Sequence, residues 1–132
     1  MDNFYRENIL DHFRNPHNFG KLARADMESE IGNPSCGDKI RMQVNITGPT
    51  GRIRIRDVRF TAEGCAISIA SASMLTDKIK DMSIVEIKKL GLEDILGLLG
   101  ITLTPSRVRC ALLPLEVLHN TLTLAIAKKS TV

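Results

Sequence analysis

The spacing of apolar side chains in the first fourteen residues is that of an amphipathic helix. Phe4 and Ile9 belong to a set that recurs at steps of three and four residues, which predicts a helix over residues 2–14. A proline and a glycine follow within six residues and end it. Residues 21–35 are mostly polar, and a short strand around Met27–Ile31 is the one regular element that we predict there.

The clearest strand pattern follows this polar stretch. Apolar and polar residues alternate strictly over residues 39–46, which is typical of a half-buried strand. After a tight Gly-Pro-Thr-Gly connection, a second strand covers residues 53–60, and its alternation slips by one residue near Arg56 and Asp57, which predicts a β-bulge. The two strands form an antiparallel hairpin with an apolar inner face. Its outer face is expected to carry the cations Lys39, Arg41, Arg52, Arg54, Arg56 and Arg59.

The second half of the chain is helical in pattern. Four helices are predicted, over residues 66–80, 83–90 and 92–99, and from Pro105 to Lys129, where proline suits the first helical position. The fold class is therefore α+β, with a small antiparallel sheet of about three strands and about five helices. We find no repeat and no linker, and expect one domain over residues 1–132.

Composition and charge narrow the possible partners. Without tryptophan, and with one tyrosine, the core must be aliphatic. The net charge of +3 is mild, and Phe60 is predicted to face inward rather than stack on a base, so we expect no nucleic-acid partner. We also expect no membrane partner, because no run of 18 apolar residues is present. The opening residues hold no apolar signal core and the cysteine count is odd, so the expected location is cytoplasmic.

Three cysteines lie far apart in the chain, and their surroundings differ from those of an ordinary core cysteine. Cys36 follows Asn-Pro-Ser, a run of turn formers; Cys65 follows Gly64 at the predicted start of a helix, where the helix dipole favours a thiolate. Cys110 lies near Arg107 and Arg109, two cations that we expect to lower its thiol pKa. The ordinary alternative is that each is a small buried hydrophobe.

Asp38 extends this set, because it lies two residues after Cys36 and both side chains can reach one ion across a turn. Its ordinary alternative is a turn or cap residue. If the fold gathers Asp38 with Cys36, Cys65 and Cys110, three thiolates and one carboxylate make a site for a soft metal. The harder oxygen would be a weak ligand through which bound cargo can leave.

Other polar residues are not assigned to chemistry. His12 and His17 are interpreted as surface or capping residues, and His119 lies too far along its helix from Cys110 to share an ion. Ser71 and Ser73 have no evident base partner, so the sequence does not support a serine hydrolase.

The residues around the three cysteines resemble those of a known family. It comprises the U-type iron–sulfur cluster assembly scaffolds IscU and SufU and the N-terminal domain of NifU. The resemblance runs from about residue 4 to 126. Its motifs are Asn33–Asp38 (NPSCGD), Gly64–Ser68 (GCAIS) with Ser71–Ser73, and Arg109–Leu113 (RCALL), and the opening Tyr5–Pro16 is also similar.

The resemblance implies a fold of the SufE/IscU kind and a ligand set of Cys36, Asp38, Cys65 and Cys110. It implies a scaffold and sulfur acceptor rather than an enzyme. Such a chain takes persulfide sulfur from a cysteine desulfurase of the IscS, SufS or NifS type, with Cys36 and Cys110 as candidate persulfide acceptors. It then builds a transient [2Fe-2S] cluster and passes it to apo iron–sulfur acceptor proteins. We expect a monomer or weak dimer.

The chain departs from both family types. IscU-type members carry a histidine before the third cysteine, where this chain has Arg109, and a Leu-Pro-Pro-Val-Lys segment, where it has Leu103–Arg107. A basic residue at position 109 is typical of SufU, but the usual SufU insertion between the second and third cysteines is absent. The alternative function is a zinc-bound SufU-type sulfurtransferase, in which Zn²⁺ occupies the same four ligands and one cysteine leaves the metal to accept persulfide.

Overall fold

The computed structural model describes residues 3–33, 37–49 and 51–130, so Cys36 lies outside the described residues. Within them, three strands and five helices confirm the α+β prediction. The strands are β1 (Met27–Asn33), β2 (Asp38–Thr47) and β3 (Arg54–Glu63). The helices are α1 (Asn3–Arg14), α2 (Ala66–Ile79), α3 (Ile84–Lys88), α4 (Leu92–Leu99) and α5 (Pro105–Ser130).

The sheet is antiparallel, with the strand order β1-β2-β3. The predicted bulge is confirmed: Asn45 pairs with Asp57 and Ile46 with Ile55, so Arg56 is the extra residue on β3. The phase slip seen in the sequence therefore keeps apolar side chains on the inner face on both sides of the bulge.

The two longest helices, α5 and α2, cover the inner face of the sheet. α5 packs on β1 and β2, and α2 packs on β3 and α5. Phe60, predicted to face inward, is fully buried there with Ile40 and Met42. As the absence of tryptophan suggested, the largest fully buried side chains are otherwise aliphatic, among them Leu75, Ile79, Ile87, Ile95, Leu99, Leu118 and Leu122.

The outer face of the sheet is mixed in charge rather than uniformly basic. β1 contributes Glu28 and Glu30, and both carboxylates lie within 3.8 Å of the Arg41 guanidinium. On β3, Arg59 pairs with Asp57 at 2.7 Å. These ion pairs offset part of the positive charge that the sequence places on this face.

Two loop segments cover the outer edge of β3. Residues 18–20 exchange hydrogen bonds of 3.0 and 2.9 Å with the backbone of Phe60. At the other end, residues 82–84 form backbone hydrogen bonds of 2.9 and 3.1 Å with Ile53 and Ile55. A paired edge cannot serve as a template for another strand, so these loops protect β3 from edge-to-edge association.

A polar cluster fastens α1 and the loop after it to α2. The Ser73 hydroxyl lies 2.6 Å from His12 Nδ1 and accepts a hydrogen bond from the His17 N–H at 2.7 Å. His17 Nδ1 contacts the Asp77 carboxylate at 2.5 Å, and the Asn18 amide donates to the same carboxylate at 2.9 Å. Sequence reasoning found no base near Ser73, but the fold places His12 there. Because Ser73 is fully buried, the contact joins two helices rather than exposing a nucleophile.

This cluster shifts two pKa values. Burial, and then the charge of His17, lower the pKa of His12 despite the opposing effect of Asp77. Burial works to raise the pKa of Asp77, but hydrogen bonds from His17 and Asn18 outweigh it and leave that pKa lowered. Both shifts favour the neutral imidazole of His12 and the ionised Asp77 in the folded chain.

α5 is apolar over much of its length, although polar residues such as Glu116 and Asn120 interrupt any run of 18 apolar residues. Residues 105–128 form a helix that is long and apolar enough to cross a bilayer by length and composition, with a mean hydropathy of 1.5 over its most apolar window. In the fold, 56% of that window is buried against the sheet and other helices. Such burial is characteristic of the central helix of a packed domain, which reaches a similar hydropathy.

Candidate metal and sulfur site

Asp38 is positioned by the turn between β1 and β2. Gly37 has φ +75°, a conformation that glycine adopts without strain, and its N–H donates to the Asn33 carbonyl at 2.9 Å. Asp38 then opens β2 opposite Asn33. Its side chain is only 3% exposed, so the turn aims a carboxylate into the protein at the end of the sheet.

Cys65 stands at the junction of β3 and α2, as the N-cap residue of the helix. Its N–H donates to Asp38 Oδ1 at 3.1 Å, and its thiol donates to Asp38 Oδ2 at 3.7 Å. The predicted helix start after Gly64 is therefore confirmed. The Cys65 side chain does not cap the helix. The Asp38 carboxylate, at the start of β2, instead provides a hydrogen-bond acceptor for a backbone N–H at the N-terminus of α2.

The close approach of Asp38 and Ser68 to residue 64 leaves no room for a side chain there, which explains the glycine at this position. A Cβ at Gly64 would lie 2.7 Å from both Asp38 Oδ1 and the Ser68 hydroxyl oxygen. Ser68 is fully buried and donates to the Cys65 carbonyl at 3.0 Å, with its oxygen 3.8 Å from Cys65 Sγ. Sequence reasoning did not select Ser68, although its place three residues after Cys65 on a helix is the signal that brings the two together.

Cys110 completes the described part of the site from the second turn of α5. One ligand atom each from Asp38, Cys65 and Cys110 forms a group in which all atoms lie within 4.8 Å of one another. Cys65 is half-buried, whereas Asp38 and Cys110 are buried. The fold thus brings together three of the four residues that the sequence selected; the fourth, Cys36, lies outside the described residues.

The expected effect of the arginines on Cys110 is wrong. Burial raises the pKa of the Cys110 thiol, and the neighbouring Asp38 and Cys65 raise it further. Arg107 and Arg109 are both exposed on α5, so water screens their charges, while the thiol is only 6% exposed. Without a cation, Cys110 is therefore held as a neutral thiol.

The donor set fits a thiophilic metal. Two sulfur atoms and one carboxylate oxygen converge, and soft thiolates select zinc, copper(I) and iron–sulfur clusters. A positive ion would offset the burial and the negative neighbours that keep Cys110 protonated, because ligands lose their protons on metal binding. A cavity of about 780 Å³ lies beside the β2–β3 loop and α3, and none of these donors lines it.

The three histidines lie elsewhere. His12 and His17 belong to the cluster between α1 and α2, and His119 contacts the Ile87 carbonyl at 3.0 Å. Among the described residues, no histidine belongs to the group formed by Asp38, Cys65 and Cys110.

The chain matches the model of the NifU-like N-terminal domain over residues 4–131. It therefore belongs to this family, the U-type iron–sulfur cluster assembly scaffolds, and the resemblance seen in the cysteine motifs is confirmed. The match spans nearly the whole chain, including the residues that build the site.

Relatives of both functional types are similar to this chain. The iron–sulfur cluster assembly scaffold protein IscU of Aquifex aeolicus is 41% identical over 115 residues, covering 87% of this chain and 71% of the relative. The zinc-dependent sulfurtransferase SufU of Bacillus subtilis is 35% identical, covering 91% of this chain and 90% of the relative.

A solved structure shares the fold. A SufU from Fervidobacterium islandicum, named as a candidate iron–sulfur cluster assembly scaffold for the SUF system, superposes with a TM-score of 0.74 at 28% identity. That superposition covers 88% of this chain and 94% of the SufU chain. The mosaic of IscU and SufU features in the sequence is matched by similarity to both kinds of protein.

Proposed function

We propose that this chain is a scaffold for iron–sulfur cluster assembly, with Cys36, Asp38, Cys65 and Cys110 as its ligands. The observation that carries the proposal is the convergence of ligand atoms from Asp38, Cys65 and Cys110 within 4.8 Å of one another. These residues come from β2, the start of α2 and α5, so only the folded chain can present them together. Iron and the [2Fe-2S] cluster are cargo, held transiently and then released.

The sulfur reaches the site from a partner protein, for which we propose a cysteine desulfurase of the IscS, SufS or NifS type. A cysteine thiolate of this chain attacks the terminal sulfur of the partner's persulfide. The S–S bond of that persulfide breaks, the partner's thiolate leaves, and a persulfide remains on this chain. Reduction of the transferred sulfur to sulfide takes two electrons from an external electron donor before it enters the cluster.

Cys36 and Cys110 stay the candidate persulfide acceptors. Cys110 is 6% exposed, and a thiol must be both ionised and accessible to attack. For Cys110 to accept sulfur, the docked partner or a metal ion must therefore make its thiol accessible and ionise it. Single Cys36→Ser and Cys110→Ser variants incubated with desulfurase and cysteine should each lose sulfur loading, measured by intact mass as the gain of one sulfur. Full loading of both variants would contradict this assignment.

Asp38 gives the site its weak ligand. A carboxylate is a harder donor than a thiolate and binds soft metals less firmly. Here it also accepts the Cys65 N–H at 3.1 Å, so the helix N-terminus competes with the metal for the same side chain. This competition supports release of cargo rather than permanent storage, as a scaffold requires. The cluster passes to apo iron–sulfur acceptor proteins.

The second candidate function is that of a zinc-bound sulfurtransferase. Arg109 occupies the position before the third cysteine, where a guanidinium cannot act as a ligand, and the chain is 35% identical to a zinc-dependent sulfurtransferase over most of both chains. In this function Zn²⁺ would be held by the same four residues, where it would keep the thiolates ionised until a persulfide displaces one of them.

One experiment separates the two functions. The protein is purified without oxygen from cells supplied with iron and zinc, and its metal content and visible spectrum are measured. The scaffold predicts iron, acid-labile sulfide and visible cluster absorption, with transfer to an apo-ferredoxin. The sulfurtransferase predicts one colourless zinc per chain and sulfur transfer without a cluster. Metal bound at neither thiolate nor carboxylate ligands would contradict both.

Further properties follow from this function as proposals. We expect a single domain over residues 1–132, a cytoplasmic location, a monomer or weak dimer, and neither membrane nor nucleic-acid partners. Size-exclusion chromatography with light scattering checks the oligomeric state. A charge reversal at Arg54, exposed at the start of β3, should weaken salt-sensitive binding to the desulfurase and leave metal content unchanged.

A further inference from the structure

Ser68 lies beside the sulfur atom of Cys65 but is not one of the ligands. Its side chain is fully buried on α2, with the hydroxyl oxygen 3.0 Å from the Cys65 carbonyl oxygen and 3.8 Å from Cys65 Sγ. Gly64 leaves the room for this approach, because a Cβ there would meet the hydroxyl oxygen at 2.7 Å. In the metal-free chain this hydroxyl donates its one proton to the Cys65 carbonyl and can accept from the Cys65 thiol; a thiolate in place of that thiol would be a second acceptor within reach.

The Cys65 carbonyl has a second hydrogen-bond donor besides the Ser68 hydroxyl. The Ile69 N–H also donates to the Cys65 carbonyl, at 3.2 Å. If the Ser68 hydroxyl turns away, the buried carbonyl keeps a partner, so the large cost of an unsatisfied buried acceptor does not arise. Rotation about the C–O bond moves only a hydrogen atom, and both heavy-atom distances can stay as they are.

Metal binding changes Cys65 Sγ from a hydrogen-bond donor to an acceptor. In the metal-free chain this thiol donates to Asp38 Oδ2 at 3.7 Å. A metal ion takes the sulfur as thiolate, and the thiol proton passes to solvent. The sulfur is then an acceptor, and Asp38 Oδ2 has lost its donor and is released to bind the ion.

We propose that Ser68 is a positioning residue that turns its hydroxyl from the Cys65 carbonyl to the Cys65 thiolate when the site is loaded. The inference rests on the proposed function, because it needs Cys65 as a metal or cluster ligand. A hydrogen bond from a buried hydroxyl withdraws electron density from the thiolate, so the Cys65–metal bond becomes less covalent. Ser68 thereby tunes the ligand that lies at the half-buried rim of the site.

The test uses cobalt(II), a coloured substitute for zinc, because a thiolate bound to it gives a charge-transfer band in the near ultraviolet. Wild type, Ser68→Ala and Ser71→Ala are titrated with cobalt(II) without oxygen. Ser71 is the matched control: it lies on the same helix, is almost equally buried and donates to the Ala111 carbonyl at 2.7 Å, and among the described residues no hydrogen bond joins it to Cys65.

The expected result is a thiolate-to-cobalt band at longer wavelength in Ser68→Ala and an unchanged band in Ser71→Ala. Loss of a hydrogen bond raises the energy of the sulfur electrons, whereas loss of a buried hydroxyl elsewhere does not. Ser68→Thr keeps the hydroxyl and should restore the wild-type band, which tests the inference even if Ser68→Ala is poorly folded.

The possible failures are distinguishable. One cobalt ion per chain with the same band in Ser68→Ala and Ser71→Ala would overturn the role of Ser68 and leave the proposed site intact. No thiolate-to-cobalt band in the wild type would overturn the proposed ligand set, and the role of Ser68 would fall with it.

Discussion

The glycine before Cys65 allows a sharp test of how the site is built. In Gly64→Ala, the new methyl carbon would lie 2.7 Å from Asp38 Oδ1, 2.7 Å from the Ser68 hydroxyl oxygen and 3.0 Å from Asp38 Cγ. These distances are far below ordinary van der Waals contact, so the Asp38 carboxylate or the start of α2 must move. Gly64 does not have a left-handed φ, so alanine brings no backbone strain of its own.

The expected loss of stability follows from the displacement of the Asp38 carboxylate and the Ser68 hydroxyl. An extra methyl group in a close-packed place costs about 1–3 kcal/mol. Moving Asp38 also weakens its charge-assisted hydrogen bond with the Cys65 N–H, and such a bond contributes about 1.5–3 kcal/mol. Against this, alanine reduces the freedom of the unfolded chain, which stabilises by about 0.4–1 kcal/mol. We expect a net loss of about 1–3 kcal/mol, mostly from the crowding.

The metal affinity should fall as well, because Asp38 is a proposed ligand. Loss of the surroundings that orient a ligand typically costs about 10- to 100-fold in metal affinity. Urea unfolding of the metal-free protein measures the first effect, and competition with a zinc-binding dye measures the second. Gly97→Ala is the control: apart from its chain neighbours and the backbone of its own helix, no atom lies within 4 Å of its added Cβ, and it lies within α4, where alanine favours helix formation.

A Gly64→Ala protein with unchanged unfolding midpoint and unchanged zinc affinity would refute the reasoning. It would mean that the carboxylate and the hydroxyl can retreat at no cost, and that their closeness to Gly64 does not position the ligands. A loss of stability with full zinc affinity would refute only the link to the metal.

Three further results are expected. Asp38→Cys should slow transfer of a reconstituted cluster to apo-ferredoxin, since a fourth thiolate replaces the weak ligand; faster transfer would contradict this role. The pKa of His12 lies below its ordinary value of 6.5 in the folded chain, so the free energy of unfolding should reach its highest level above pH 6.5 and decrease as the pH falls below it. In urea titrations at several pH values, His12→Asn should make that decrease smaller. Leu118→Ala should cost about 2–5 kcal/mol, whereas Leu124→Ala, at an exposed position of the same helix, should cost much less.

Strict periodicity made much of the fold predictable. The alternation over residues 39–60 gave the hairpin, and its slip located the bulge at Arg56, because strand side chains alternate with a period of two. The helices were equally regular. β1 was predicted only around Met27–Ile31 but extends to Asn33, since pairing with β2 rather than its own pattern holds its last residues.

Three of the four residues selected from the sequence, Asp38, Cys65 and Cys110, lie together in the fold, but the electrostatics of Cys110 were not predicted. Turn residues and a strand-to-helix junction pointed to Asp38 and Cys65, because local sequence determines those features. The pKa of Cys110 was predicted in the wrong direction, since sequence neighbours on a helix point to different sides. The contacts of Ser73 with His12 depend on how α1 lies on α2, which no local pattern encodes.

The order in which the proposed ligands occur along the chain has a consequence during protein synthesis. Asp38 and Cys65 leave the ribosome well before Cys110. Cys110 can join them only after α5 has emerged and packed on the sheet. A nascent chain therefore presents no complete pocket to free metal. If the proposed site binds iron or zinc, loading is a sign of finished folding, and a truncated product lacking α5 would not capture the metal in this way.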